Sequence, residues 1–309
     1  MISIVIPCYN SHETLERVID EIDKALTEGH KEEYEVILVN DCSPDNTIDI
    51  IRKLCRDRDY ITGVDLVKNF GQHAALMAGF HYVKGDIIVC MDDDGQTPAD
   101  EIWKLIDEIK AGHDAVYAKY GNKHHSVFRN IGSKLNDLMA DVMLNKPKDL
   151  YVSSYFAVKR FIVDEIIKYS NPYPYVIGLV LRSTKDIVNV DVNHRDRMAG
   201  NSGYTFGKLI NLWLNGFTAF SIKPLRMATG FGALMAVGGF IYGIITIIRK
   251  LLGINYVLGY SGIITLLTII GGILLLMLGI IGEYIGRIYI SLNNSPQYIV
   301  RSVMGKEDK

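Results

Sequence analysis

The sequence predicts an α/β protein in which a mostly parallel sheet, covered by helices on both faces, is followed by a two-helix membrane hairpin. Three observations carry this expectation. Strand-like and helix-like stretches alternate from Ser3 to Ala118, and a polar cluster follows each of the first four strands. Near the other end, residues 227–248 and 261–282 each run 22 residues without a charged side chain. That length crosses a hydrocarbon layer of ~30 Å, and soluble helices seldom stay apolar on every face for so long.

Ser3–Ile6 reads as the first strand, and Glu13–Thr27 as a helix with apolar residues at helical spacing. Glu35–Asn40 is a second strand, and Asp45–Arg56 a helix capped by Ser43 or Asp45. Ile61–Leu66, Asp86–Met91 and Asp114–Ala118 are further strands, with helices at Gln72–Val83 and Asp100–Ala111 between them. A less regular region, Tyr120 to Lys148, holds His124, His125 and Arg129. Val152–Val158 and Val188–Val192 are strand-like, with Pro172-Tyr173-Pro174-Tyr175 between them. Phe206–Phe220 is amphipathic and reads as an interfacial helix leading into the membrane, an ordinary core helix being the alternative. The predicted boundaries are 1–203 for the α/β domain, 204–226 for the interfacial helix and linker, 227–282 for the hairpin, and 283–309 for a juxtamembrane helix and tail.

The formal charge of −2 gives no sign of nucleic-acid binding. Cys8, Cys42, Cys55 and Cys90 form no Cys-x-x-Cys pair and read as reduced structural thiols. Met1–Pro7 has no basic region or cleavage site, so the large domain is expected to remain on the side of synthesis. Lys223, Arg226, Arg287 and Arg301 flank the hairpin, although Arg249 and Lys250 in its loop leave the positive-inside signal mixed. Both termini are expected in the cytoplasm, which makes this an integral protein of the cytoplasmic membrane.

The most informative run is Asp92-Asp93-Asp94-Gly95-Gln96, directly after the apolar Ile87–Met91. Three carboxylates at a buried strand end are costly unless compensated, and a hard divalent ion such as Mg²⁺ or Mn²⁺ holding a diphosphate would compensate them. An acidic turn before the helix is the alternative. Tyr9-Asn10, Asn40-Asp41, Lys68-Asn69 and Asp92–Gln96 all follow strands, and in such sheets ligands sit beyond the carboxyl ends.

With those residues in view, the chain resembles the family-two glycosyltransferases of GT-A fold, and among them the polyprenyl-phosphate glycosyltransferases. This group includes dolichyl-phosphate mannose synthase and the bacterial undecaprenyl-phosphate glucose and aminoarabinose transferases. The matching stretches are Ile4–Asn10, Val39–Asp45, Asn69–His73 with Met77–Phe80, Met91–Gln96, His194–Arg197 with Gly200–Tyr204, and Gly282–Arg287. The resemblance implies that Pro7, Tyr9 and Asp41 line the nucleotide, with Asn10, Lys68, Asp92 and Asp93 at the same edge. It further implies that Asp92, Asp94 and Gln96 hold the metal. Arg197, Ser202 and Tyr204 would close over the diphosphate or the acceptor phosphate. Apart from the resemblance, Arg129, with Lys119, Lys123 or His124, is a candidate to hold that phosphate near the membrane, solvated surface charge being the alternative for these four. A surface salt bridge is the alternative for Arg197, and a turn cap for Asp41.

Departures from the family pattern matter as well. Gly95 stands where a larger apolar residue is usual, Asp93 where a small one is, and Gly203 where lysine is common. Many relatives carry an aspartate, a candidate base, in the strand that here reads Val152-Ser153-Ser154-Tyr155-Phe156, so Ser153 becomes the catalytic candidate, with Ser154 beside it. The resemblance implies transfer of one sugar, with inversion, from a nucleotide sugar (a UDP-sugar) to polyprenyl phosphate. A homo-oligomer, a flippase and a downstream transferase are the expected partners. The rival expectations are a processive polysaccharide synthase, whose Gln-x-x-Arg-Trp motif is missing around Trp103 and Trp213, and a catalytically silent nucleotide-sugar binder.

Overall fold

The computed structural model describes residues 1–28, 32–120, 150–193, 260–292 and 295–305, and part of 230–252. The chain divides into two compact units, Met1–Phe206 with Asn294–Lys309, and Gly207–Asn293.

The first unit is built on eight strands: β1 (Ile2–Cys8), β2 (Tyr34–Asn40), β3 (Ile61–Leu66), β4 (Ile87–Cys90), β5 (Ala115–Tyr120), β6 (Phe156–Lys159), β7 (Ile187–Val192) and β8 (Val300–Met304). They form one sheet in the order β7-β5-β6-β4-β1-β2-β3-β8. The centre, β4-β1-β2-β3, is parallel, as the strand–helix alternation predicts. Strands β6 and β8 run against it. Helices α1 (Leu15–Thr27), α2 (Thr47–Asp57), α3 (Gln72–Phe80) and α4 (Ile102–Lys110) connect the strands, and two shorter ones, α5 (Arg160–Ile166) and α6 (Val176–Ser183), follow β6.

Amphipathic helices α1 and α4 bury Leu15, Val18, Ile19, Ile22, Leu105 and Ile109 in one core with Ile4, Ile6 and Val89 of the sheet. Helix α3 is different, because every residue from Ala74 to Phe80 is buried. It can lie close to the strands because residue 79 is glycine: an added Cβ there would meet Val5 Cγ1 at 2.6 Å and Val39 Cγ2 at 3.0 Å. The start of α3 lies toward the carboxyl edge of the sheet because the helix follows β3. Strand registers align that edge, with Cys8 opposite Asn40 and Asn40 opposite Asp65.

Three elements differ from the sequence expectation. The strand expected at Val152–Val158 begins only at Phe156, because Ser153 bonds to main-chain carbonyls and leaves the ladder. Helices α5 and α6 occupy the interval before β7. The 283–309 segment, expected to be a helix and tail, holds edge strand β8, antiparallel to β3. The interfacial helix expected at Phe206–Phe220 lies outside the described residues. All four cysteines are free, as expected.

In the second unit, helix α7 (Tyr260–Leu292) runs 33 residues, and the described residues between 230 and 251 are helical. The two stretches touch: a Cβ at Gly232 would sit 3.2 Å from Met277 Cε. Large apolar side chains stand exposed along both, among them Leu234, Leu275 and Leu278. Counted over the described residues alone, no helix is long and apolar enough to cross a membrane.

Candidate active site

Strand β4 is short and wholly apolar, and its last sheet bond is Met91 N to Val5 O at 3.3 Å. The chain then leaves the ladder with three carboxylates, and the structure gives each a different environment. The Asp92 carboxylate is held from two sides. Gln72 Nε2, at the start of α3, donates to Oδ1 at 2.9 Å, and Ser154 Oγ donates to Oδ2 at 2.5 Å. Burial of the carboxyl raises its pKa to about 6, with the charges of Asp94 and Asp93 adding to the rise and the two donors opposing it.

Asp93 turns the other way. Its Oδ2 accepts from Tyr9 N at 3.0 Å and from Ser11 Oγ, while its carbonyl accepts from Thr14 Oγ1 at 2.7 Å. Burial raises its pKa despite those donors. Asp93 therefore ties the β1 turn to the end of β4. Asp94 Oδ1 accepts from Gln96 N at 3.0 Å, closing a tight turn around Gly95. Gly95 has φ +75°, a left-handed conformation that a larger side chain would strain, which accounts for glycine at this position.

The nucleotide-side candidates meet at the ends of β1, β2 and β3. Asp41 is 3% exposed and accepts Phe70 N at 2.7 Å on Oδ1 and Gly71 N at 2.8 Å on Oδ2. Burial outweighs these bonds and raises its pKa. Each oxygen keeps a further lone pair for a ligand. Asn10 adopts φ +58° and donates its N–H to Ser43 Oγ at 3.2 Å, which leaves the Tyr9 side chain 48% exposed at the edge. Pro7 lies in β1 beside them, and Lys68 extends over the Phe70 ring at 5.0 Å.

The structure thus brings Pro7, Tyr9, Asn10, Asp41, Lys68, Asp92, Asp94 and Gln96 to one edge of the sheet. Ser153 and Ser154 face different partners. The Ser153 hydroxyl lies 2.8 Å from both Ala118 O and Tyr155 O and is occupied with main chain, whereas Ser154 reaches Asp92. Arg129, Arg197, Ser202 and Tyr204 lie outside the described residues. Gln72 escaped the sequence reading; its place at the first turn of the helix after Asn69-Phe70-Gly71 was the available signal.

Among the described residues no three His, Cys, Asp or Glu side chains converge as a metal cage. The donor set nevertheless fits Mg²⁺ or Mn²⁺. Such ions in phosphate-handling sites take one or two carboxylates and leave the remaining positions to water and substrate oxygens. A carboxyl whose charge is disfavoured by burial and by like neighbours, as Asp92 is, gains most from an adjacent cation.

Comparison with known proteins agrees with this geometry. Residues 3–167 match the family described as Glycosyl transferase family 2, and residues 223–288 match the GtrB C-terminal hairpin. The chain is 31% identical over 308 residues to the undecaprenyl-phosphate 4-deoxy-4-formamido-L-arabinose transferase of Proteus mirabilis, covering 98% of this chain and 94% of that one. It is 34% identical over 312 residues to the uncharacterized glycosyltransferase YkcC of Bacillus subtilis, covering 99% and 95%. Among solved structures, glucosyl-3-phosphoglycerate synthase of Mycobacterium tuberculosis in complex with UDP shares the fold, with a TM-score of 0.52 at 18% identity over 71% of this chain and 79% of that one. The same synthase in complex with Mn²⁺, UDP and phosphoglyceric acid gives a TM-score of 0.50 at 19% identity, covering 70% and 74%. A matched family domain across more than half the chain, relatives aligned almost end to end, and a sheet edge crowded with carboxylates converge, and the chain belongs to glycosyl transferase family 2.

Proposed function

We propose that this enzyme moves one sugar, with inversion, from a nucleotide sugar to polyprenyl phosphate at the cytoplasmic face of a membrane, and that undecaprenyl phosphate is the acceptor. The observation that carries the reading is the carboxylate run at the end of β4, where Gln72 and Ser154 hold Asp92 and Asp93 ties the run to the Tyr9 turn, on the same sheet edge as Asp41. A UDP-sugar fits that edge, with its base toward Tyr9 and Asp41 and its diphosphate toward Asp92, Asp94 and Gln96. Asp92, Asp94 and Gln96 would hold Mg²⁺ or Mn²⁺ there, and the ion would neutralise the charge that grows on the departing diphosphate.

The chain's own residues do the rest. Gln72 and Ser154 fix both oxygens of Asp92, so the carboxylate needs little reorganisation when donor binds. No side-chain base is required of Ser153 or Ser154. A phosphate monoester has a second pKa near 6 and is mostly dianionic at neutral pH, so it attacks carbon one of the sugar directly. A hydroxyl acceptor would need a base. We assign Arg197, Ser202 and Tyr204 to binding of the phosphates, and Arg129 to binding of the acceptor phosphate.

The lipid acceptor explains the second unit. A polyprenyl chain leaves the bilayer at ~0.8 kcal/mol per CH₂, so the active site must come to the membrane. Two observations pull apart here: the described residues alone contain no span, yet Tyr260–Gly282 is 23 residues of unbroken sequence without a charge. The continuous sequence is the weightier, because a bilayer responds to every residue of a helix. The same-unit membership of Met1–Phe206 and Asn294–Lys309 supports an even number of crossings, since both segments must lie on one side. We place that side in the cytoplasm. The lipid-linked product would then pass to a flippase or a downstream transferase.

The test is to incubate purified protein with a panel of nucleotide sugars, Mn²⁺ or Mg²⁺, and a short polyprenyl phosphate, and to weigh the lipid by mass spectrometry. A glycosyl mass increment on the phosphate is expected with one donor. Binding of donor without any lipid product across the panel would refute transfer and leave a silent binder.

A further inference from the structure

The chain that follows the second unit returns to the sheet beside the proposed nucleotide pocket. Asp65, in β3, is 1% exposed, and a carboxylate so buried needs hydrogen bonds and an opposite charge. Asn40 Nδ2 donates to its Oδ1 at 2.7 Å, and Arg301 Nη1, from β8, donates to its Oδ2 at 3.1 Å. The same guanidinium uses Nη2 to reach Val67 O at 3.0 Å, while Val67 N donates to Ile299 O at 3.1 Å.

Two lines of contacts run on from this clamp. Asn40, fixed by Asp65, accepts Ser43 N on Oδ1 at 3.2 Å, and Ser43 Oγ accepts the N–H of left-handed Asn10 at 3.2 Å. Val67, fixed by Arg301 and Ile299, leads into Lys68–Gly71, whose Phe70 and Gly71 amides hold Asp41. The Tyr9–Asn10 turn and the Asp41 loop are thus both braced from one arginine.

We propose that Arg301 is a positioning residue for the nucleotide, setting the two walls of its pocket through Asp65 and Val67 without touching the ligand. This rests on the reading of the Tyr9–Asp41 edge as the nucleotide site. The planar fork is what the position requires, because one side chain serves a carboxylate and a carbonyl at once; lysine would supply only a point charge.

The test uses the full chain in detergent with Mn²⁺ and UDP as the calorimetric probe, and steady-state kinetics with the UDP-sugar found by the lipid assay. Arg301→Met is expected to weaken UDP binding and raise the donor KM about fivefold, with kcat and the lipid-phosphate KM within about twofold. Arg301→Lys should fall between, and it stands in if the methionine variant does not fold. Asp65→Asn added to Arg301→Met should recover most of the UDP affinity, because asparagine still accepts from Asn40 and leaves no buried charge. A lowered Tm with unchanged UDP affinity in both Arg301 variants would overturn the proposal and leave a structural clamp. Wild-type protein that binds no UDP would instead indict the nucleotide reading itself.

Discussion

Ser154 and Gln72 grip opposite oxygens of the Asp92 carboxylate, at 2.5 Å and 2.9 Å. The bond from Ser154 favours the charged form, so Ser154→Ala should raise the Asp92 pKa further and move the acidic limb of the pH–rate profile upward. Transfer at pH 7 should fall about ten- to a hundredfold, the loss of a charge-assisted bond costing about 1.5–3 kcal/mol. Ser153→Ala should cost stability of about 1 kcal/mol through its carbonyl bonds and spare the rate. It should also be tolerated better than Arg197→Ala. Parallel pH–rate curves for the three variants would check this, and a larger defect in the Ser153 variant would restore that residue as the catalytic serine.

Cation binding should depend on pH through the same carboxyl. Below about pH 6 the proton on Asp92 competes with the ion, so Mn²⁺ affinity should be nearly flat above pH 7 and fall progressively below pH 6. Titrations followed by manganese paramagnetic resonance in the presence of UDP would show the break. Asp94→Ala should abolish both binding and transfer while leaving the circular dichroism spectrum intact.

Asp93 makes a contrasting prediction, because its oxygen is occupied by Tyr9 N and Ser11 Oγ. Asp93→Ala should loosen the β1 turn and raise the donor KM several-fold, with a smaller effect on kcat. Asp93→Asn keeps an accepting oxygen and should retain most of the donor affinity. Isothermal titration with UDP separates this role from metal ligation, in which the asparagine variant would lose Mn²⁺ as well.

His73 supplies a stability test away from the chemistry. Its ring packs edge-on against Tyr175 at 4.9 Å, and Nδ1 is sealed from solvent without a hydrogen-bond partner among the described residues, even though the residue keeps some exposed surface. Burial lowers its pKa from 6.5 to about 4. The unfolded chain then binds the extra proton between those values, so folding stability is retained above pH 6.5 and lost as pH falls toward 4, by at most ~3 kcal/mol. Urea titrations of wild type and His73→Phe at pH 7 and pH 5 should show a shallower pH dependence in the variant.

Much of the parallel core was legible because each strand is a short apolar run ending in a polar cluster. Asp92 stood out because carboxylates at a buried strand end demand compensation, and Asp41 through the polar cluster after the second strand and the family resemblance. Other features depend on long-range packing that local pattern does not encode. Nothing in Asp92-Asp93-Asp94 says that the middle carboxylate turns back to Ser11. The choice between Ser153 and Ser154 was open because the backbone there is not a strand, so side-chain alternation does not apply. Strand β8 carries Arg301 and Ser302 in five residues and reads as a tail; only its pairing with β3, across a separation of 236 residues between Asp65 and Arg301, reveals it.

That separation imposes an order on biogenesis. While the ribosome is still making the hairpin, the finished part of the sheet shows β3 as a bare edge, with its ladder groups unpaired and Asp65 lacking its counter-charge. The nascent protein is therefore incomplete until the greasy hairpin has been released and the last strand docks. A fragment truncated before residue 294 would keep that unsealed margin, which makes it a poor soluble surrogate for the enzyme.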